Sequence, residues 1–175
     1  MKRIIAALLA GLCLLTLAGC SAGKKPGSSA PKNYSQILHD ARSGEENETD
    51  MIFTKGEDGK YEAGQLDDEI KNMMLPLLNL EDDMYTDLAA SVSAMMVRSY
   101  AVAIVKPAEG KTDAVKAALE DYVASEQQSM EHYLEDQYQI AKAATVTVEP
   151  TGEVVLVCAE NHDTLLANIE KALAA

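Results

Sequence analysis

The run Ala90-Ser91-Val92-Ser93-Ala94-Met95-Met96-Val97-Arg98-Ser99-Tyr100-Ala101-Val102-Ala103-Ile104-Val105-Lys106-Pro107 decides the fold. Val92, Ala94 and Met96 recur at every second position, which is the period of a strand and not of a helix. After a turn near Arg98-Ser99, Tyr100 to Val105 continues as a second strand, rich in the β-branched and aromatic residues that suit a pleated surface. Pro107-Ala108-Glu109-Gly110 ends it. The same grammar recurs downstream, where Thr145 to Glu149 and Glu153 to Ala159 flank Pro150-Thr151-Gly152. That second hairpin closes on Val154-Val155-Leu156-Val157-Cys158-Ala159, apolar on both faces and therefore suited to a central, doubly covered strand.

The segments around the hairpins read as helices. Tyr34 to Arg42 has Ile37, Leu38 and Ala41 on one side, with Gly44 as a helix stop. Leu66, Ile70, Met73, Met74 and Leu77 recur at helical spacing until Pro76 bends or ends the helix, and Glu81-Asp82-Asp83 opens a short second one through Leu88. A long helix from about Thr112 turns Val115, Leu119, Tyr122 and Val123 inward, leaves Lys116, Glu120 and Asp121 solvated, and extends through Glu135. Asp136 to Ala143 forms a further short piece. Asn161 or Asp163 caps a last helix with Leu165, Leu166, Ile169 and Leu173 inward. Met51 to Gly64, with a turn signal at Glu57-Asp58-Gly59, is a small hairpin or a loop. These elements predict an α+β domain: a four-stranded, mainly antiparallel sheet of two β-hairpins, with helices packed on one face.

The front of the chain is of another kind. Lys2-Arg3, the apolar run Ile4 to Leu15 and Leu17-Ala18-Gly19-Cys20 follow the order of a secretory signal, and the apolar stretch is short for a spanning helix. Leu-Ala-Gly-Cys resembles a bacterial lipoprotein box, which implies cleavage before Cys20 and lipidation of its thiol. Two or three acyl chains hold durably where one holds marginally. Residues 1–19 are then signal peptide, 20–33 a lipidated cysteine with a Gly-, Ser-, Pro- and Lys-rich tether, and 34–175 one domain, of which 66–175 is the core. The expected location is the outer face of the cytoplasmic membrane, held by lipid at Cys20, in a Gram-positive-type bacterium.

Charge and cysteine content narrow the function. Loss of Lys2 and Arg3 from 15 basic residues leaves 13 against 28 acidic ones, a net charge of −15. Nucleic acid is an unlikely partner for such a body on electrostatic grounds. Cys13 leaves with the signal and Cys20 takes lipid, so Cys158 has no partner for an intramolecular disulfide. Its apolar surroundings describe a small buried hydrophobe and not a nucleophile.

Residues that carry chemistry are sparse. There is no Gly-x-Ser-x-Gly elbow, no Ser-x-x-Lys motif and no glycine-rich phosphate loop, so neither a catalytic residue nor a cofactor site is assigned. His39 and His162 fall on exposed sides of helix ends. His132, Glu135 and Asp136 would share a helix face and are the candidate metal ligands, outweighed by a solvated charged face. Asp67-Asp68-Glu69 and Glu81-Asp82-Asp83 lack the loop glycine of an EF-hand and are explained as helix-start acids. Met73, Met74, Met95 and Met96 are expected to fill core.

Ser91 to Val97, Tyr100 to Lys111 and Tyr133-Leu134-Glu135-Asp136-Gln137-Tyr138, followed by the second hairpin, resemble a lipoprotein family of clostridia-like bacteria, domain of unknown function 4358. The resemblance covers about Leu66 to Ala175 and the lipobox, and it implies an envelope lipoprotein with no assigned activity or site. The favoured function is a non-enzymatic module binding an envelope protein, peptide or small ligand. The alternative is a cell-wall or lipid hydrolase using carboxylates such as Glu131 and Glu135. A substrate-receiving lipoprotein of an uptake system would need two lobes, for which the chain is short.

Overall fold

The computed structural model describes residues 32–55, 61–63 and 72–175. The signal, Cys20, the turn at Glu57-Asp58-Gly59, Asp67-Asp68-Glu69 and the helix expected from Leu66 to Lys71 lie outside the described residues.

Two strands carry the centre. β3 (Tyr85–Val92) and β4 (Ala101–Pro107) pair antiparallel, from Val92 with Ala101 to Tyr85 with Pro107, with an irregularity between Tyr85 and Asp87. β4 pairs on its other side with β6 (Val154–Cys158), Ala103 opposite Leu156, and β6 pairs with β5 (Thr145–Val148). Both expected hairpins are present, and β6 is the interior strand its composition implied. The sheet is wider than four strands. β1 (Phe53–Lys55) and β2 (Tyr61–Ala63) form a hairpin that adds to β3, giving the order β2-β1-β3-β4-β6-β5, antiparallel throughout.

Helices cover both faces of the sheet, not one. Alternation divides β4: Ala101, Ala103 and Val105 join Leu88, Ala90, Val154, Leu156 and Cys158 on one side. There they meet Val115, Leu119, Tyr122 and Val123 of the long helix α3 (Thr112–Met130), as the helical spacing predicted, and Ile140 of α4 (Glu135–Ala143). Val102, Ile104, Val155 and Val157 point the other way, against Tyr34, Leu38 and Ala41 of α1 (Tyr34–Ala41) and Leu165, Ile169 and Leu173 of α5 (His162–Leu173). The physical reason is plain in β4 and β6, whose interior residues are completely buried. A strand apolar on both sides needs a layer on each, because each exposed CH₂ forgoes about 0.8 kcal/mol of burial.

Three boundaries differ from expectation. Glu81 to Leu88 is not a helix: Tyr85 already begins β3, because Leu88 and Ala90 are needed opposite Val105 and Ala103. At its other end β3 stops at Val92, and Ser93 N–H donates to the Tyr100 carbonyl to close a long turn. Met95 and Met96 therefore lie outside the strand and outside the core, 56% and 92% exposed. Gly44 does not stop a helix but begins α2 (Gly44–Thr49), where Ser43 and Glu46 form a reciprocal capping box. Residues 72–74 are helical and pass into a 3-10 helix (Leu75–Leu78) with Pro76 in its first turn, so the predicted break at Pro76 occurs. Met74 and Leu78 are buried, whereas Met73 and Leu77, which the spacing turned inward, are exposed. Among the described residues no helix is long and apolar enough to cross a membrane.

Candidate functional site

The candidate metal ligands are not brought together. α3 ends at Met130, and the turn before α4 carries His132, its side chain 91% exposed and its Nε2 3.8 Å from Glu131. Glu135 and Asp136 open the next helix, where they accept from the side chains of Gln139 (2.6 Å) and Gln137 (3.0 Å). One continuous helix face was the premise of that site, and of the Glu131–Glu135 pairing, and the turn removes it. No group of three or more His, Cys, Asp or Glu side chains is placed to hold a metal among the described residues.

The other singled-out residues divide. His39 is exposed, but His162 is largely covered, its Nε2 2.8 Å from Thr145 Oγ1 and its Nδ1 2.9 Å from Asp163. Asn161 occupies the N-cap position of α5, yet its side chain accepts no capping hydrogen bond, and its amide donates to Glu46 Oε2. Cys158 is completely buried and its thiol is pushed up to about 12 by that burial, with the Glu126 charge adding. Asp83 meets Lys111 Nζ at 2.9 Å, which holds its carboxyl below the usual range.

Polar groups concentrate instead at the end of the sheet where β3 finishes and β4 begins. Arg42 enters from the end of α1 and is buried; its Nη1 donates to Ser91 Oγ (2.8 Å) and Tyr100 Oη (3.3 Å), and its Nε and Nη2 to Asn47 Oδ1. Burial pushes the Tyr100 phenol up, and Arg42 opposes it. Arg98, in the turn, donates from Nη1 to both oxygens of Asp50 and lies over the Tyr100 ring, 4.5 Å from its centre. Ser99 N–H donates to Gln137 Oε1 at 2.9 Å, and its hydroxyl reaches Glu126, whose carboxyl is pushed up by burial.

Two members of this network, Arg98 and Tyr100, line a cleft of about 640 Å³. Ser43, Glu45 and Glu46 form one wall, Met95, Arg98 and Tyr100 another, and Glu160 and Asn161 the third. A second hollow of about 380 Å³ lies on the far side of Arg98, between the 3-10 helix, the turn with Met95 and Met96, and Tyr122, Glu126 and Met130 of α3. Arg98 and Met95 therefore stand between two hollows, with exposed Leu77, Met96 and Val97 around them.

Sequence reasoning missed this set because it draws on three separated segments. One signal was available: Ser43-Gly44-Glu45-Glu46 is a capping-box pattern, and it announces α2 and the fixed position of Glu46.

The architecture is that of a mixed domain with an antiparallel sheet between helical layers, carrying a cleft at one sheet end. Residues 59–159 match the family described as Domain of unknown function (DUF4358), and the chain belongs to that family. The matched segment runs from just before β2 to the end of β6 and leaves out α1, α2, β1 and α5. No curated protein and no solved structure matches the chain.

Proposed function

We propose that the protein is a membrane-anchored, extracytoplasmic binding module, lipidated at Cys20, that takes an envelope protein, peptide or small ligand in the cleft between α2, the Ser93–Tyr100 turn and the loop into α5. The observation that carries the reading is the position of the cleft relative to the point where the chain joins the domain. Lys32 Nζ donates to the Leu173 carbonyl and lies 3.7 Å from Glu153 Oε1, beside the turn between β5 and β6. Tyr34 Oη donates to the same Glu153 oxygen at 2.9 Å. That turn adjoins Val105, whereas the cleft adjoins Ala101 at the start of the same strand. At about 3.3 Å per residue these two positions on β4 are some 13 Å apart. The chain therefore enters the domain beside the β5–β6 turn and away from the cleft, which leaves the cleft clear of the tether. The exposed methionines at the rim support a binding role, since thioether side chains adapt to varied partners.

The anchor is tested by mass analysis and fractionation: Cys20→Ala should remove the lipid mass from the protein, and an unchanged mass and location would refute the anchor. Binding is tested on intact cells with a photoreactive amino acid at position 95 or, as control, at position 151 in the turn between β5 and β6. Mass analysis of the recovered chain should find a defined adduct from position 95 and none from 151. An equal yield from both positions would refute the cleft as the binding site.

A further inference from the structure

Large apolar side chains are left in water mainly around one place. Seven of them are exposed among the described residues, and five, Met73, Leu77, Met95, Met96 and Val97, fall in two short segments that supply walls of the hollow of about 380 Å³. Single exposed apolar residues are ordinary, whereas a group of them marks a surface that something covers. Val92, Tyr122 and Met130 carry the apolar lining inward and are buried. α3 leaves the hollow open because it presents the small Ser125 and Ser129 beside Tyr122, Glu126 and Met130. The last three are spaced four apart, along about 12 Å of the helix.

One polar group in the hollow is unpaired and also within reach. Glu126 is half-buried and lines it. Its Oε2 accepts from the Ser99 hydroxyl at 3.4 Å, and its Oε1 has no hydrogen-bond or ion-pair partner among the described residues. Sealed side-chain oxygens without a partner belong there to Glu46 and Glu153 alone, so Glu126 Oε1 is open to water. Burial pushes its carboxyl up, a cost that a cation brought against it would relieve. The cation that already lines the hollow, Arg98, is held by Asp50.

The spread of the apolar surface selects the occupant. A small molecule in the hollow would leave Met73 and Val97, which lie outside its lining, in water. The face of another protein covers a pocket and its rim together. An anionic membrane is opposed by 28 acidic residues against 15 basic ones, and a second copy carries the same excess.

We propose that this hollow docks a partner protein, which seats one large apolar side chain between the 3-10 helix and α3, sets a lysine or arginine beside it on Glu126 Oε1, and covers Met95, Met96 and Val97 with the surrounding surface. The site is separate from the cleft on the other side of Arg98 and stands whether or not that cleft is filled; only Met95 and Arg98 line both.

The test is selection from a random dodecamer peptide library on the full chain in lipid nanodiscs, counter-selected on Ser129→Trp. Ser129 is exposed on α3, so a tryptophan there fills the hollow without entering the core or the cleft. The recovered peptides should carry a large apolar residue close to a lysine or arginine. Their affinity, read by fluorescence anisotropy, should fall about tenfold or more in Glu126→Gln, the scale of a charge-assisted hydrogen bond. That variant keeps the shape of the side chain and an oxygen for the Ser99 hydroxyl, and Glu160→Gln in the cleft should leave the affinity unchanged. An empty selection, peptides without a basic residue, full affinity in Glu126→Gln, or a loss in Glu160→Gln instead overturns the proposal. On intact cells a photoreactive amino acid at position 125 should acquire a protein adduct whose mapped segment has an apolar residue beside a lysine or arginine. An adduct of lipid mass, or one with the sequence of this chain, overturns it as well.

Discussion

Arg98 and Asp50, 48 residues apart in sequence, meet through one guanidinium nitrogen that donates to both carboxylate oxygens, at 2.7 and 2.8 Å. The pair fastens the β3–β4 turn to the end of α2, and so joins two walls of the cleft. It is lopsided in its access to water: the Asp50 side chain is 7% exposed and that of Arg98 30%. Arg98→Ala would leave a buried carboxylate with, among the described residues, only the Thr49 hydroxyl as a further side-chain partner. Asp50→Asn would leave a cation that water can reach. The expected losses are about 2–3 kcal/mol for Arg98→Ala, between the ranges for exposed and buried pairs, and about 1 kcal/mol for Asp50→Asn. Urea unfolding measures both, and equal losses would mean that the buried Asp50 is no costlier to leave unpaired than the more exposed Arg98.

What the sequence disclosed follows from how the information is distributed along it. β4 and β6 were legible because every side chain from Ala101 to Val105 and from Val154 to Cys158 is apolar, and only an interior strand tolerates that. The same observation, applied to both strands together, required helices on both faces. The start of β3 was hidden by Glu81-Asp82-Asp83, which look like helix-start acids but stand in the turn before the strand. Its end was hidden by Ala94 and Met96, which prolong the period of two into a turn that Ser93 and Tyr100 close. β1 and β2 are three residues each, too short for any period to register. The cleft was illegible for a different reason. Its residues come from 43–50, 91–100 and 160–161, and no spacing within one segment encodes their meeting.

The corrected end of β3 makes a sharp prediction. Read as a strand residue, Met96 would sit on the face of Val92 and its loss would hollow the core. At 92% exposure it touches little, so Met96→Ala should change stability by no more than about 0.5 kcal/mol. Leu156→Ala, at a fully buried position opposite Ala103, should cost about 2–5 kcal/mol. Thermal or urea unfolding of the two variants distinguishes the placements, and a large loss at Met96 would return it to the sheet.

Glu126 gives a dependence on pH. Burial raises its carboxyl above the ordinary 4.5, and the Ser99 hydroxyl only partly offsets this. A raised carboxylate binds its proton more tightly in the folded chain than in the unfolded one. Its contribution to stability is therefore fully present below the unfolded value and is lost as pH rises through the folded one. Glu126→Gln, which stays neutral, should be about as stable as the parent in acid and should gain on it as pH climbs from about 4.5 towards neutrality. A gap between the two that stays constant across this range would show that Glu126 is as well solvated folded as unfolded.

Cys158 tests the centre of the sheet directly. It is completely buried at the end of β6, opposite Ala101, and its thiol is pushed up to about 12 against an ordinary 9.0. The thiolate is the reactive form, so at mildly alkaline pH both exposure and ionisation withhold it from an alkylating reagent. Peptide mapping after iodoacetamide treatment should find Cys158 unmodified in the native full chain and fully modified in guanidinium. Its slow native labelling should follow opening of the domain, so that Leu156→Ala accelerates it in proportion to the stability lost, while Met96→Ala leaves it unchanged. Labelling that is fast, and indifferent to Leu156→Ala, would mean that β6 is reached without opening the helical layers, and the burial on both faces argued for this strand would be wrong.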